Sequence, residues 1–412
     1  MSLYSHTGYT CIACGHVYSA DDYRLTCEKC GENLDADFDY DMIASRWSKE
    51  LLRQNRDQSI WRYLPLLPVH QKPDNLSIKV GGTPIVQANT WADKMGIKQL
   101  WFKDDTRNPS GSLKDRATEV GIQHAKELGF RKIVAASTGN AAASLACLSA
   151  FHDMDTIVIA PKSAPPAKLT QILQYGAQLY PVEGNYDAAF DLATEIAEEM
   201  NWYIRSSGIN PILSEGKKTV ALEIADQLNW NVPDQVFVPV GDGCIIGGVY
   251  KGFYDLQQLG WFDRIPKINA IQAQGSAAIV NALDEAKITK VQAHTIADGV
   301  SVDYPRDGQK ALRAVRNSGG YGITVSDSDI LDAQKALSTS VGLFAEPAAA
   351  CAFAGLLAAL ENGQIGKHES AVGLITGSGL KDIPSAQKRI TIPNAIPADF
   401  SSFKELLKIY NG

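Results

Sequence analysis

The sequence lacks the features of a membrane, secreted or nucleic-acid-binding protein. Its most apolar run, residues 347–360, is shorter than the roughly 20 apolar residues of a membrane-spanning helix. The first residues, MSLYSHTGYT, contain neither the basic nor the apolar region of a signal peptide. The formal net charge of −7 lacks the basic excess that suits nucleic acids or anionic membranes. These absences predict a cytoplasmic protein with no nucleic-acid or membrane partner.

Cysteine is scarce after residue 30, where only Cys147, Cys244 and Cys351 occur, far apart in the chain. This scatter argues against a disulfide framework. Internal repeats and low-complexity linkers are also missing. The hydrophobic content of 45% and charged content of 21% are ordinary for a globular protein. A chain of 412 residues can bury a large core and form more than one domain.

The other cysteines form two C-x-x-C-G turns separated by twelve residues, and they are Cys11, Cys14, Cys27 and Cys30. Two such turns can hold one tetrahedral zinc ion through four thiolates, a closed site with a structural role. A degenerate ribbon held by packing alone is the alternative. A redox pair is disfavoured because the strand-and-helix context of that motif is missing. Residues 1–35 are therefore predicted to be a zinc-ribbon-like segment, followed by a linker arm with one helix over residues 36–75.

After the arm, short apolar segments alternate with longer segments of helical periodicity. The predicted strands lie at 98–105, 131–137, 155–161, 177–183, 235–240, 268–274 and 371–377. The predicted helical segments lie at 124–129, 167–176, 186–200, 219–230 and 249–260, and residues 347–360 predict a buried helix that begins at Pro347. This alternation predicts an α/β fold with mostly parallel sheets. Ligands of such folds bind at the carboxyl ends of the strands.

Four polar or glycine-rich segments follow predicted strands. They are SGSLKDR (110–116), STGNAAASLA (137–146), PVGDGCIIGGVYKG (239–252) and ITGSGLKD (375–382). Each has an ordinary interpretation: a solvated Lys114, a helix cap by Ser137 or Thr138, a tight glycine turn, and a hydroxyl turn. Together they predict a lysine, a phosphate-binding loop and two polar loops on one sheet edge.

The glycine-rich segment matches neither of two common phosphate motifs. Ile246 stands where a dinucleotide fingerprint needs glycine, and no G-K-[ST] follows as in a P-loop. Converging backbone N–H groups at a helix start would still bind a phosphate. Pyridoxal phosphate, whose aldehyde needs a lysine and whose phosphate needs amides, satisfies the combination.

Over about residues 60–412 the chain resembles the fold type II pyridoxal-phosphate enzymes, the tryptophan synthase β-like family, and among them the threonine synthases. The motifs that carry the resemblance are, in order, NPSGSLKDR, ASTGN, SSGINPILSEGKKT, VPVGDGCIIGGVYKG, GLFAEP and TGSGLKD. A cysteine-rich amino-terminal segment also occurs in that group. The resemblance implies a two-domain α/β fold with a large domain at 76–129 and 183–412 and a small mobile domain at 130–182. It also implies a homodimer.

The resemblance also implies roles for individual residues. Lys114 would bind the cofactor's aldehyde covalently and act as the catalytic base. Asn140 would bond the ring oxygen, and Thr376 would face the pyridine nitrogen. The cofactor phosphate would be held by Gly241, Asp242, Gly243, Cys244, Ile245, Gly247 and Gly248. The substrate would be bound by Ser137, Thr138, Gly139 and Lys218.

The implied reaction converts O-phospho-L-homoserine and water to L-threonine and phosphate. Members of that group often carry arginine, asparagine and histidine where this chain has Leu213, Cys244 and Ser378. Another cation would then meet the substrate phosphate, with Lys217, Lys218, Arg116 and Lys381 as candidates. The alternatives are a related β-elimination or β-replacement, such as cysteate synthesis from phosphoserine or serine/threonine dehydration. A different class of function would make the ribbon a binding module on a non-catalytic body.

Overall fold

The computed structural model describes residues 4–164, 166–285 and 287–410, and it contains three β-sheets. Two of the sheets are wholly or mostly parallel and carry helices, which confirms the predicted α/β class. The third is a small antiparallel sheet at the amino terminus. Among the described residues no helix is both long and apolar enough to cross a membrane.

The amino-terminal sheet has the order β2-β1-β3 and carries the four cysteines on its turns. Its strands are β1 His6–Cys11, β2 Val17–Ser19 and β3 Leu34–Phe38. The arm that follows contains α1 Tyr40–Arg46, α2 Lys49–Gln54 and a 3-10 helix, Ile60–Leu66. The prediction of one helix here was wrong, because the side chains of Asp39 and Ser48 each cap a separate helix.

The large sheet has six strands in the order β12-β11-β10-β13-β5-β4, all parallel except β4, which pairs antiparallel with β5. The strands are β4 Ile85–Gln87, β5 Gln99–Asp104, β10 Gln235–Pro239, β11 Lys267–Ala273, β12 Gly322–Val325 and β13 Ser370–Ile375. Four of these were predicted, whereas the short β4 and β12 were not. The carboxyl ends of β5, β10 and β13 therefore lie side by side.

The second parallel sheet has the order β8-β7-β6-β9. Its strands are β6 Lys132–Ala136, β7 Asp155–Pro161, β8 Gln178–Val182 and β9 Tyr203–Ile204. The first three coincide with predicted strands. The two-residue β9, which was not predicted, pairs with β6, so this sheet takes in residues beyond the predicted domain boundary at residue 182.

The helices of the two parallel sheets fill the remainder of the chain. They are α3 Asn89–Met95, α4 Lys114–Glu127, α5 Asn140–His152, α6 Pro166–Gln174, α7 Tyr186–Glu199, α8 Pro211–Gln227, α9 Cys244–Gln258, α10 Ala278–Asp284, α11 Gly308–Ser318, α12 Asp327–Val341, α13 Pro347–Glu361, α14 Ile383–Gln387 and α15 Phe400–Tyr410. The five predicted helical segments all fall within or at the ends of these helices. The apolar α13 is buried along most of its length, as predicted.

Helix α8 lies between α4 and α9 and is buried from Pro211 to Ala225, including its charged residues. Glycine allows this close packing. A Cβ on Gly216 would lie 2.4 Å from the carbonyl oxygen of Arg116, and one on Gly252 would lie 2.5 Å from that of Lys218. A helix enclosed in this way must pair its charges inside the protein, because isolated buried charges are costly.

Candidate active site

Lys114 is the first residue of α4 and lies beside the carboxyl end of β13. The N–H of Leu113 donates to the carbonyl oxygen of Thr376 at 2.9 Å, and Ser112 forms a β-bridge with Gly377. Burial lowers the pKa of the Lys114 amine, with Cys244, Arg205, Asp242 and Glu346 as its charged or titratable neighbours. Lys114 is therefore an amine that loses its proton more readily than a surface lysine.

The loop from Ser137 to Asn140 joins β6 to α5. The hydroxyl of Ser137 accepts from the N–H of Gly139 at 3.2 Å, while Gly139 occupies the cap position of α5 and no side chain caps the helix. The ordinary interpretation, a helix cap by Ser137 or Thr138, is therefore not what the structure shows. The amide of Asn140 donates to both carboxylate oxygens of Glu346, at 2.8 and 3.0 Å.

The glycine-rich loop after β10 leads directly into α9. Gly243 has a left-handed φ of +98°, and no side chain caps the helix. The first intrahelical bond runs from the N–H of Gly247 to the carbonyl oxygen of Gly243 at 3.0 Å. The preceding amides of Cys244 and Ile245 are thus available to an anion, which the positive helix end favours.

Gly241, Gly247 and Gly248 have a packing role in addition. A Cβ on Gly241 would lie 3.2 Å from the carbonyl oxygen of Gly299. One on Gly247 would lie 2.9 Å from the Cβ of Lys310, and one on Gly248 would lie 3.0 Å from the Cβ of Lys217. Gly247 and Gly248 thus let α9 approach α11 and α8 closely, and Gly241 lets the loop approach residues 299–300. Asp242, the acidic residue of the loop, accepts from the N–H of Arg306 at 3.4 Å, and burial raises its pKa.

The fourth predicted segment lies next to Lys114. Thr376 follows β13 directly and is buried, and Ser378 caps the 3-10 helix Gly379–Lys381 by accepting from the N–H of Leu380 at 3.3 Å. All four predicted segments thus surround one lysine.

The side chain of Lys218 does not join the segments that surround Lys114. Its Nζ lies 2.5 Å from carboxylate oxygens of both Glu215 and Asp255, and 4.0 Å from the ring centre of Phe38 in the amino-terminal sheet. Arg116 likewise forms buried ion pairs with Asp105 and Glu223. Both cations are satisfied by the fold, so the predicted substrate contact of Lys218 has no support in its position.

Two residues near Lys114, Arg205 and Glu346, received no role from the sequence. Glu346 lies in the noted segment GLFAEP, and its carboxylate fills the space that a Cβ on Gly377 would need. Burial raises the pKa of Glu346. Lys217 was one of four candidate cations, and only its direction on the helix separates it from Lys218. No motif pointed to Arg205, which follows the two-residue β9.

The four cysteines of the amino-terminal segment lie together. Their Sγ atoms are all within 4.8 Å of one another, with Cys11–Cys30 at 3.4 Å and Cys14–Cys27 at 3.7 Å. A tetrahedral site with Zn–S bonds of about 2.3 Å has sulfur–sulfur edges of about 3.8 Å. The donor set and its spacing fit a closed zinc site.

The residues around Lys114 also fit pyridoxal phosphate, since they provide a half-buried amine of lowered pKa, open helix amides and a polar rim. The model of the family described as pyridoxal-phosphate dependent enzyme matches residues 76–377. The chain belongs to this family. Both parallel sheets lie within the match, whereas residues 378–412 of the predicted large domain lie outside it.

Curated relatives show which members of the family this chain is similar to. The threonine synthase of Methanocaldococcus jannaschii is 42% identical over 97% of this chain and 98% of its own length. That of Methanosarcina acetivorans is 38% identical over 96% of this chain and 98% of its own. The chain therefore groups with threonine synthases along nearly its whole length.

Solved structures confirm the fold type. The processed form of threonine deaminase isoform 2 from Solanum lycopersicum superposes with a TM-score of 0.65, at 23% identity, covering 74% of this chain and 86% of that one. Diaminopropionate ammonia lyase from Escherichia coli gives a TM-score of 0.66 at 16% identity, covering 81% and 92%. At such identities the likeness concerns the fold alone.

Proposed function

We propose that this family member is a threonine synthase, a lyase that converts O-phospho-L-homoserine and water to L-threonine and phosphate. The observation that carries the proposal is the half-buried Lys114, whose pKa is lowered and which lies near the open helix ends of α5 and α9. The near full-length similarity to threonine synthases supports this reaction over others of the family.

Bound pyridoxal phosphate would supply the electron-withdrawing group that acidifies the substrate's Cα. Lys114 would hold the cofactor, and Asn140 and Thr376 would meet its ring. Its phosphate would be held by the loop from Gly241 to Gly248. The loop of Ser137, Thr138 and Gly139 would bind the substrate's α-carboxylate.

The amine of Lys114 is suited to move protons at the substrate carbons. In its neutral form it accepts the proton from Cα, and a second proton then leaves Cβ as the phosphate leaves Cγ. Water adds its hydroxyl at Cβ, and protons return to Cγ and Cα. Burial favours the neutral amine, so the fold itself prepares the base.

The test is an assay of the protein loaded with pyridoxal phosphate on O-phospho-L-homoserine, which follows phosphate and L-threonine together. Both products should appear at equal rates. Lys114→Ala should lower kcat by at least about 10³-fold, because the base and the covalent anchor are both lost. Lys126→Ala, on the exposed face of the same helix, is the matched control and should leave the rate unchanged.

Other products would redirect the proposal. Release of 2-oxobutyrate from threonine, or of pyruvate from serine, would identify a dehydratase. Turnover of phosphoserine with sulfite would identify a cysteate synthase. Absence of a cofactor absorbance band in the purified protein would contradict every one of these enzymatic functions.

We infer that Cys11, Cys14, Cys27 and Cys30 bind one structural zinc ion. The ribbon contacts the catalytic body through Asn33, whose amide donates to a carboxylate oxygen of Asp307 at 2.6 Å, and through Lys310, which donates to the carbonyl oxygen of Leu34 at 2.7 Å. Elemental analysis should find one zinc per chain, and Cys14→Ser should lower it. Zinc in the variant at the wild-type level would contradict the assignment.

We further propose a cytoplasmic homodimer in which the unit around residues 130–182 moves over the cofactor. The homodimers that are usual in this family support the proposed dimer. Light scattering of the protein loaded with pyridoxal phosphate tests it. Movement of a lid over the site would exclude water until it is needed.

A further inference from the structure

Lys217 is a fully buried lysine whose amine has no hydrogen-bond partner among the described residues. Its neighbour Lys218 is equally buried but has two carboxylates. Adjacent helix residues point about 100° apart, so the two amines enter different surroundings. The charged or titratable neighbours of Lys217 are Cys244, Lys114, Arg205 and Asp307, which places it on the side of the active site.

Arg205 is a second buried cation on the same side. Among the described residues its side chain donates to hydroxyl groups only, those of Thr118 and Ser207, at 3.2 to 3.3 Å. Thr118 lies one turn after Lys114 on α4. Within the described part of the chain, neither Arg205 nor Lys217 forms an ion pair with a carboxylate.

The acidic groups of the site are engaged elsewhere. Glu346 accepts from Asn140, and Asp307 accepts from Asn33. Asp242 accepts from the N–H of Arg306. Two cations thus lose their water without gaining a counter-charge, and a bound dianion would offset this cost.

The apolar side chain of Leu213 cannot bind such a dianion. It is fully buried and packs against Gly121 of α4, where a Cβ would lie 2.6 Å from its Cδ2. Lys217 lies one helical turn further along α8. The cation missing at residue 213 can therefore be supplied from the same helix.

We propose that Lys217 and Arg205 bind the phosphate group of the substrate and stabilise it as it leaves. This inference rests on the proposed function. A phosphate dianion could also come from the cofactor, but the open amides of α9 already serve that group. The assignment to the substrate predicts that removing either cation weakens phosphate recognition without loosening the cofactor.

The experiment compares two probes of matched length, L-2-amino-5-phosphonopentanoate and L-norvaline, which lacks the phosphonate. Each is titrated into the loaded protein, and binding is followed by the cofactor's absorbance. Wild-type protein should prefer the phosphonate strongly. Lys217→Met and Arg205→Gln should each weaken phosphonate binding by about 10- to 100-fold, as expected for a lost bond to a charged group.

Norvaline affinity and the Kd of pyridoxal phosphate should change less than about threefold in these variants, and Lys217→Arg should restore most of the phosphonate affinity. Lys335→Met, on the exposed side of α12, is the control. The two substitutions are independent, so a folding failure in one leaves the other as the test.

Three outcomes separate the proposals. A wild-type protein that does not prefer the phosphonate contradicts the proposed function itself. A wild-type preference that survives in both variants overturns only the role of Lys217 and Arg205. A weakened Kd for pyridoxal phosphate, with the phosphonate preference intact, assigns the two cations to the cofactor and also overturns it.

Discussion

Two of the buried charge clusters to which helix α8 contributes differ in one respect. In the first, Arg116 and Lys103 share Glu223, and Arg116 also pairs with Asp105, at distances of 2.6 to 2.8 Å. Two cations meet two anions. In the second, Lys217 and Arg205 have no anion among the described residues. The first cluster is complete as folded, whereas in our proposal the second is completed by the substrate phosphate.

Removal of an anion from the complete cluster should have the largest effect. Glu223→Gln leaves Lys103 and Arg116 without their shared carboxylate and should lower the free energy of unfolding by about 3–5 kcal/mol. Urea unfolding of the loaded protein measures it. Glu183→Gln, at an exposed pair with Lys162, is the control and should cost less than about 1 kcal/mol. Equal losses in the two variants would contradict the comparison.

The same cluster predicts acid sensitivity. Arg116 and Lys103 hold the pKa of Glu223 well below its usual range, although burial alone would raise it. The stabilisation is therefore present above the unfolded pKa of about 4.3 and is lost as the pH falls below it. Wild-type stability should fall more steeply than that of Glu223→Gln between about pH 5 and 3.

Removal of a cation from the incomplete cluster should have the opposite sign. Lys217→Met replaces an unpartnered amine by an apolar side chain of similar length. It should raise the free energy of unfolding of the ligand-free protein by about 1–3 kcal/mol. Thermal unfolding without phosphate or phosphonate measures it. A destabilised variant would show that the Lys217 amine is satisfied in solution.

The pH dependence of that gain sharpens the comparison. Burial lowers the pKa of Lys217 to about 7, against an unfolded value of about 10.4. Between these values the unfolded chain binds more protons, so wild-type stability rises with pH, by at most about 1.4 kcal/mol per unit from this group. The advantage of Lys217→Met should be greatest below pH 7 and vanish near pH 10. A gain that is constant with pH would assign it to packing.

Much of the fold was predictable because its strands are apolar, of ordinary length and separated by periodic helices. The strands at 155–161 and 235–239 agree with prediction to within a residue. The strands missed in the two parallel sheets are short: β9 has two residues, β4 three and β12 four. Their pairing depends on neighbouring strands rather than on local pattern.

The residues of the candidate site were predictable where a sequence motif contains them. They were not predictable where the direction of a side chain in the folded protein decides its surroundings. Lys114, Asn140 and the glycine-rich loop were found from their sequence context. Lys217 and Lys218 are identical side chains in one apolar helix, and only the packing of α8 distinguishes them. Arg205 follows a strand that is too short to predict from the sequence. Only the tertiary structure shows that it lies near Lys114.

The adjacent lysines of α8 also bear on how this segment can change. A substitution acts on one of them, but a one-residue insertion or deletion earlier in α8 turns everything after it by about 100°. Lys218 would leave Asp255 of α9, and Lys217 would turn away from Lys114, although both letters would persist in the sequence. The number of residues between Pro211 and Lys218 therefore fixes the direction in which each of these two lysines points. Substitutions can be tolerated there, whereas changes in length remove an ion pair and a ligand contact together.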